Sequence, residues 1–451
     1  MDVAVLNAIF KAYDIRGKVG SELTIELAEY VGRAIAAWLP AEGAVAIGRD
    51  MRPDSEALAQ AITKGLCAGG RNVVDIGMVT SDMIYHAVGQ EKLAGGAMVT
   101  ASHNPGKDNG IKLCREEAKP ISIDSGLADI RELIAASRFA DADRSGTVRT
   151  LDVTESWIQH VLSFVDPAKL TPLRLAVDAG NGMAGAIFPA LEKHVPWRIT
   201  EMYFDLDGTF PNHEANPLKF ETLVDLIATI REQKLDGGIA FDGDGDRAFL
   251  VDETGTVLTG GVMSAMLSEY FLEKYPGANI VYDVRNSKTV PDIIAEKGGT
   301  PVRSRVGHSL IKEKMREVDA PFGGEASGHF YFKDNWYTDS GIIGAVIGLY
   351  VATLKNKKLS ELREHYTRYA AIPETNFEIA DKQGAITRLA EHFKEAKQDT
   401  LDGLTAMLSN GAWVNIRPSN TESLLRLNAE AKDQATLDVL VKNITTIIKQ
   451  K

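Results

Sequence analysis

Asp242, Asp244 and Asp246 stand at every second position of one short loop, with Gly243 and Gly245 between them and Arg247 directly after. Three carboxylates held this close repel one another, so the spacing makes chemical sense around a cation. Oxygen-only ligands suit a hard ion, Mg²⁺ or Ca²⁺, better than zinc. The glycines let the backbone bend enough for the carboxylates to converge. A fixed positive charge beside such an ion is a setting in which a phosphate is held. An EF-hand would also use Asp242, Asp244, Asp246 and Glu253, but the position where its loop needs glycine is Arg247. The flanking runs, 238–241 and 248–251, are short and apolar, and they read as strands rather than EF-hand helices.

Three more loops carry reactive side chains. In Thr100-Ala101-Ser102-His103-Asn104-Pro105 a serine precedes a histidine, yet no Gly-x-Ser-x-Gly elbow surrounds it. Ser, Asn and Pro would equally make a plain turn. A serine can also carry a phosphoryl group, and a metal–arginine site elsewhere is what that chemistry needs. In Gly324-Glu325-Ala326-Ser327-Gly328-His329, Glu325 and Ser327 alternate and can offer oxygens to one ligand such as a sugar; a solvated turn is the plainer reading. Arg417, Ser419, Asn420 and Thr421, with Arg426 beyond, supply a dense set of donors for a phosphate dianion. One motif pulls elsewhere. Gly180, Gly182 and Gly185 follow an apolar run at 173–177 in dinucleotide-fingerprint spacing, and Asp205 stands where a ribose-binding acid would. That reading leaves the other loops without a task, so the run is taken as a glycine-rich strand-to-helix turn.

The elements that must hold these loops alternate in the α/β manner. Strands are expected at 44–49, 72–76, 96–100, 173–177 and 279–283, and a helix at 53–68 with Pro53 in its first turn. A weak repeat joins them. Gly95-Gly96, Gly237-Gly238 and Gly323-Gly324 each accompany an apolar run and a polar loop, although in the third the loop follows the glycines directly. Three related α/β domains follow from this, each presenting one functional loop. After about Arg368 the character changes to a small α+β domain, with antiparallel strands at 412–416 and 423–428 and helices at 383–397 and 435–448.

A chain of 451 residues, 44% apolar, has room for three or four cored domains. Its net charge of −12 and pI near 5.4 argue against nucleic-acid or membrane partners, so a phosphate ligand must be drawn by a local pocket. Cys67 and Cys114 are too few for a disulfide framework or a zinc site and suit a reducing compartment. Residues 1–10 lack the pattern of a secretion signal, and no apolar run reaches membrane-spanning length. A cytoplasmic location is expected.

Together these loops resemble the α-D-phosphohexomutase family, most closely its bacterial phosphomannomutase/phosphoglucomutase members. The resemblance spans nearly the whole chain. It runs through Ala12-Tyr13-Asp14-Ile15-Arg16-Gly17, 100–105, Asn109-Gly110-Ile111-Lys112, 241–247, Gly307-His308-Ser309, 324–329 and 417–421. It implies α/β domains with mixed sheets at 1–149, 150–252 and 253–368 and an α+β domain at 369–451, around a central cleft that the last domain closes. Ser102 matches the serine that carries phosphate. Mg²⁺ would be held by Asp242, Asp244, Asp246 and one oxygen of that phosphoserine, with Arg247 steadying the transferring group. Tyr13, Arg16, His103 and Lys112 match active-centre positions, Lys112 as a candidate for proton transfer. Glu325 and Ser327 match readers of sugar hydroxyls, His308 and His329 further positions near the sugar, and His329 a possible base. Arg417, Ser419, Asn420, Thr421 and Arg426 match the grip on the non-reacting phosphate, and Arg285 a basic substrate contact.

The activity implied is reversible phosphoryl transfer between the 1- and 6-positions of mannose and glucose phosphates. It passes through a hexose 1,6-bisphosphate, and glucose 1,6-bisphosphate or mannose 1,6-bisphosphate serves as activator. The enzyme is expected as a monomer or homodimer. Asn420 and the stretch 211–217 favour mannose and glucose over glucosamine phosphate, while Ala326 replaces a methionine common in mannose/glucose enzymes. A phosphoglucosamine mutase, an Mg²⁺-dependent sugar phosphatase, a dinucleotide-binding oxidoreductase and a Ca²⁺-binding module remain the alternatives.

Overall fold

The computed structural model describes residues 3–139, 141–419 and 424–449 and contains four β-sheets, each with its own helices. The first three repeat one strand order. In the first sheet Gly95–Val99 lies between Val45–Arg49, its parallel neighbour, and Asp108–Arg115, its antiparallel one. In the second, Gly237–Phe241 lies between parallel Leu173–Asp178 and antiparallel Ala248–Asp252. In the third, Phe322–Gly324 lies between parallel Asn279–Asp283 and antiparallel Phe330–Phe332. Each glycine pair thus sits on the topologically equivalent central strand, and each polar loop is the hairpin that leaves it. The mixed sheets and the three related α/β units expected from the sequence are both present.

Side chains of these strands alternate between two cores, as a period of two requires. Val45 and Ile47 face a core with the Ile25–Trp38 and Ser55–Ala68 helices, while Ala46 between them joins a second core. That second core runs continuously from the first sheet to the third, and the apolar helix Gly341–Lys355 is buried along most of its length inside it. A fully buried Leu250 or Phe322 there contributes roughly 1.5–3 kcal/mol. The fourth sheet differs. It is an antiparallel array of Ala370–Ala371, Leu424–Ala431, Trp413–Pro418, Leu404–Met407 and Lys397–Asp399, with Thr375–Glu378 also paired to Leu424–Ala431. Its apolar cluster is closed on itself, from Ala385 to Ile448.

Several sequence-based limits move. The Ser55–Ala68 helix starts two residues beyond Pro53, because Asp50 takes the Arg52 N–H and the Ser55 hydroxyl and shapes a turn first. The helix expected over 383–397 is Lys382–His392. There the Gln398 amide donates to Ala390 O and Phe393 O, and Lys397–Asp399 leaves as a strand beside Leu404–Met407. Sheet pairing also crosses two expected domain limits. Val148–Thr150 is the edge strand of the first sheet, and Val257–Leu258 extends the second. Among the described residues no helix is long and apolar enough to cross a membrane.

Candidate active site

The loops leaving the three equivalent strands meet. Ser102 is buried, and its Oγ donates to Asp242 Oδ2 at 2.8 Å and lies 3.1 Å from His103 Nδ1. Its φ of 51° is left-handed, a strain of about 1–3 kcal/mol for a residue with a side chain. Arg247 and His329 form an isolated β-bridge between the second and third loops. Arg247 Nε stands 3.5 Å from Asp242 Oδ2 and 3.3 Å from His329 Nε2, and the latter is 3.4 Å from Asp246 Oδ1.

Asp242, Asp244 and Asp246 are all buried, with one oxygen of each within 4.8 Å of the others. Lys112, on the antiparallel neighbour of the Ser102 strand, places Nζ 2.6 Å from both Asp244 Oδ2 and Asp246 Oδ2. Of the second oxygens of those two residues, Asp244 Oδ1 is buried without a hydrogen-bond partner and Asp246 Oδ1 faces His329 Nε2 at 3.4 Å. An orphaned carboxylate oxygen within an all-oxygen set is what a hard divalent ion satisfies, so these residues fit magnesium. Burial and the carboxylates of Asp246 and Asp244 push Asp242 well above the usual carboxylate range. Burial would lower Lys112, but Asp244 and Asp246 outweigh it and hold the ammonium charged.

A second polar cluster, next to the aspartates, is built by the third loop. Glu325 accepts from Gly307 N at 3.2 Å and from the Ser327 hydroxyl at 3.0 Å, and it lies 3.0 Å from His329 Nδ1. Burial and Arg247 press His329 down, yet Asp246 and Glu325 outweigh both and raise it to about 9. His103 is held well below its ordinary value, chiefly by the Arg247 charge and then by burial. Arg285, paired to Asp283 at 2.6 Å, reaches Ser327 Oγ at 3.3 Å. Tyr13 donates to Val306 O and meets the His308 ring edge-on, while Arg16 donates to Ala101 O and Asn104 Oδ1.

Arg417 and Arg426 stand opposite one another on paired strands of the fourth sheet and share Glu374, at 2.6 and 3.3 Å. Ser419 donates its N–H to Leu424 O, and Asn420 and Thr421 lie outside the described residues. This sheet joins the third domain through polar contacts, Glu430 to Lys288 N and Asp402 to Val306 N, with Arg303 paired to Asp399. The glycine-rich turn has a packing task. A Cβ on Gly182 would stand 2.7 Å from Gly243 O, and the same carbonyl accepts Met183 N–H, so the turn braces the aspartate loop.

Sequence reasoning missed several buried groups around these loops. Ser81 donates to Asp244 Oδ2 at 2.5 Å, Ser340 to Asp82 Oδ2 at 2.5 Å, and Lys312 pairs with Asp339 at 2.7 Å under the Tyr85 ring. Arg52 was missed too. The available signal was the placement of Asp50, Arg52 and Asp283 just at or past the carboxyl ends of parallel strands, where α/β sheets build their sites.

The four sheets match four family models: phosphoglucomutase/phosphomannomutase domain I at 7–141, domain II at 155–255, domain III at 259–369 and the C-terminal domain at 374–447. A protein of Xanthomonas campestris named for phosphohexose mutases is 40% identical over 445 residues, covering 98% of this chain and 99% of that one. A phosphomannomutase of Salmonella typhimurium is 40% identical over 452 residues, with 98% and 99% covered. The crystal structure of a phosphoglucomutase/phosphomannomutase family protein from Burkholderia thailandensis superposes with a TM-score of 0.90 at 33% identity, covering 98% of this chain and 97% of that one. With its four sheets, its converging loops and relatives matched end to end, the chain belongs to the phosphoglucomutase/phosphomannomutase family.

Proposed function

We propose that the chain moves a phosphoryl group between the 1- and 6-positions of mannose and glucose phosphates, with Ser102 as the carrier and a hexose 1,6-bisphosphate between. The observation that carries this reading is Ser102 Oγ lying 2.8 Å from Asp242 within the triple-aspartate loop, flanked by Arg247. Asp242, Asp244 and Asp246 would hold Mg²⁺, which when bound neutralises charge on the transferring phosphoryl oxygens.

The chain's own residues do the rest. The sugar hydroxyl attacks the phosphorus of phospho-Ser102; the new P–O bond forms as the bond to Oγ breaks. The transition state is loose, so positioning and charge set the rate more than a strong base does. Arg247, Lys112 and Arg16 surround Ser102 with positive charge. His329 is held above its ordinary value by Asp246 and Glu325. As the P–O bonds exchange, His329 takes the proton of the attacking hydroxyl and the Lys112 ammonium gives one to Oγ. Glu325 and Ser327 read hydroxyls, Arg285, His308 and Tyr13 border them, and Arg417, Ser419, Asn420, Thr421 and Arg426 grip the distal phosphate. Cations at both ends of the cleft suit a bisphosphate that turns around between half-reactions.

The test is ³¹P NMR of the enzyme with Mg²⁺, a trace of glucose 1,6-bisphosphate and the 1-phosphates of mannose, glucose and glucosamine. Growth of mannose and glucose 6-phosphates ahead of glucosamine is expected. Release of inorganic phosphate alone would make the site a phosphatase, and the Ser102→Ala variant turning over at the wild-type rate would sink the carrier role.

A further inference from the structure

Asp50 and Asp283 occupy equivalent places, at the carboxyl ends of the parallel neighbours of two loop-bearing strands, and each is followed two residues later by an arginine. The two arginines do different things. Arg285 reaches side chains of the third loop, Ser327 and Glu325. Arg52, only 3% exposed, spends its guanidinium on the backbone of the Ser102 loop. Its Nη1 donates to Pro105 O at 2.9 Å and Asp108 O at 2.8 Å; its Nη2 donates to Ser102 O at 2.8 Å and Asn104 O at 2.7 Å. Four carbonyls take all four terminal N–H bonds, a match to a rigid planar fork that no lysine reproduces. Asp50 lies 3.2 Å from Nε and balances the charge.

The second domain closes over this arginine. The Phe210 ring covers the guanidinium at 5.1 Å. The chain at Gly208 passes so near that a Cβ there would stand 2.4 Å from Arg52 Cα. Without a grip of this kind the loop has reason to relax. Ser102 sits at a φ of 51°, and a phosphoryl group on its oxygen would face three carboxylates. A shift of about 1 Å at a reacting atom costs on the order of 100-fold in rate.

We propose that Arg52 is a positioning residue for phosphoryl transfer: it holds the Ser102 loop by its carbonyls and keeps Oγ aimed at Asp242, with Phe210 tying that grip to the second domain. Arg52 touches neither substrate nor phosphate in this role. The proposal rests on Ser102 being the phosphoryl carrier.

The experiment follows Ser102 directly. Wild type, Arg52→Lys, Arg52→Ala and Phe210→Leu are incubated with Mg²⁺ and glucose 1,6-bisphosphate, and the rate of gain of one phosphoryl group is read by intact mass. Steady-state mutase kinetics and melting temperature are measured on the same samples. Arg52→Lys should lose about 100-fold in kcat and in phosphorylation rate while KM stays within about threefold, because substrate contacts are untouched. Guanidinium added to Arg52→Ala should restore part of both rates. Phe210→Leu should show the same pattern at a few-fold scale, and it serves where the arginine variants fold poorly. Wild-type phosphorylation and turnover in Arg52→Lys with only a lower melting temperature would overturn the proposal, as would a rise in KM at unchanged kcat. If wild type itself gains no phosphoryl group, the carrier reading falls and this inference falls with it; if wild type is labelled and Arg52→Lys is labelled as fast, only this inference falls.

Discussion

The first three domains and the fourth hold their charged loops in opposite ways. In the first three, a continuous core runs beneath loops that touch one another side chain to side chain, Ser102 to Asp242 and Arg247 to His329. The fourth encloses its own core and meets its neighbour through polar contacts at Lys288, Arg303 and Val306. The two arginines proposed to grip the distal phosphate are paired to Glu374, a partner that an arriving phosphate can replace. The difference matches two demands of the proposed reaction. Phosphoryl transfer tolerates little error in position, whereas a bisphosphate that turns around needs a grip that opens and closes.

Variants that strike one region and spare the other test that division. Ser102→Ala should lower mutase turnover by at least about 10⁴-fold while substrate still binds, measured by ³¹P turnover beside calorimetric titration with a hexose monophosphate. Binding lost along with turnover would mean the regions are not separate. Chelation should cost several kcal/mol of transition-state stabilisation, roughly 1000-fold in rate, restored by Mg²⁺. Persistence of activity in the metal-stripped enzyme would remove the aspartate loop from the chemistry. Arg417→Ala removes a charge-assisted grip worth about 1.5–3 kcal/mol, so KM should rise about 10- to 100-fold with a smaller change in kcat. An equal loss in kcat would place that arginine among the rigid parts.

The smallest effect concerns stability. His86, in the first domain, packs against Trp157, His160 and Trp336 at the junction with the other two, and burial, then the His160 charge, lowers it to about 4. The folded histidine stays neutral while the unfolded one takes a proton below about 6.5. Stability is therefore full above that pH and is lost as pH falls toward 4, by up to about 3 kcal/mol. The melting temperature of the three-domain block should drop over that window, and His86→Gln should flatten the drop. An unchanged slope in the variant would assign the acid sensitivity elsewhere.

Much of this was legible in sequence where chemistry is packed into consecutive residues. The aspartate loop announces itself by residue type and spacing, the Ser102 and Glu325–His329 loops stand out from plain turns only when taken with it, and the glycine pairs fall on equivalent strands. Groups delivered by the fold were not legible. Lys112 was found only through resemblance, since nothing local says that it bridges Asp244 and Asp246 from another domain. Arg52 had only its place past a strand end as a cue, and the Lys312–Asp339 pair had none, because their partners are carbonyls and rings distant in sequence. The overlong helix at 383–397 failed for a similar reason: its stop is a side-chain amide, Gln398, folding back onto the last turn.

The repeated strand order carries one more consequence. A ring of three identical subunits would present the same loop three times and could not assign different duties to its copies. Here the three copies lie on one chain and are released from that symmetry, so that in the proposed reaction one loop serves as carrier, one as ion cage and one as reader of the sugar. The place where the loops meet is in effect a hetero-trimeric site encoded once, with its stoichiometry guaranteed by covalent linkage.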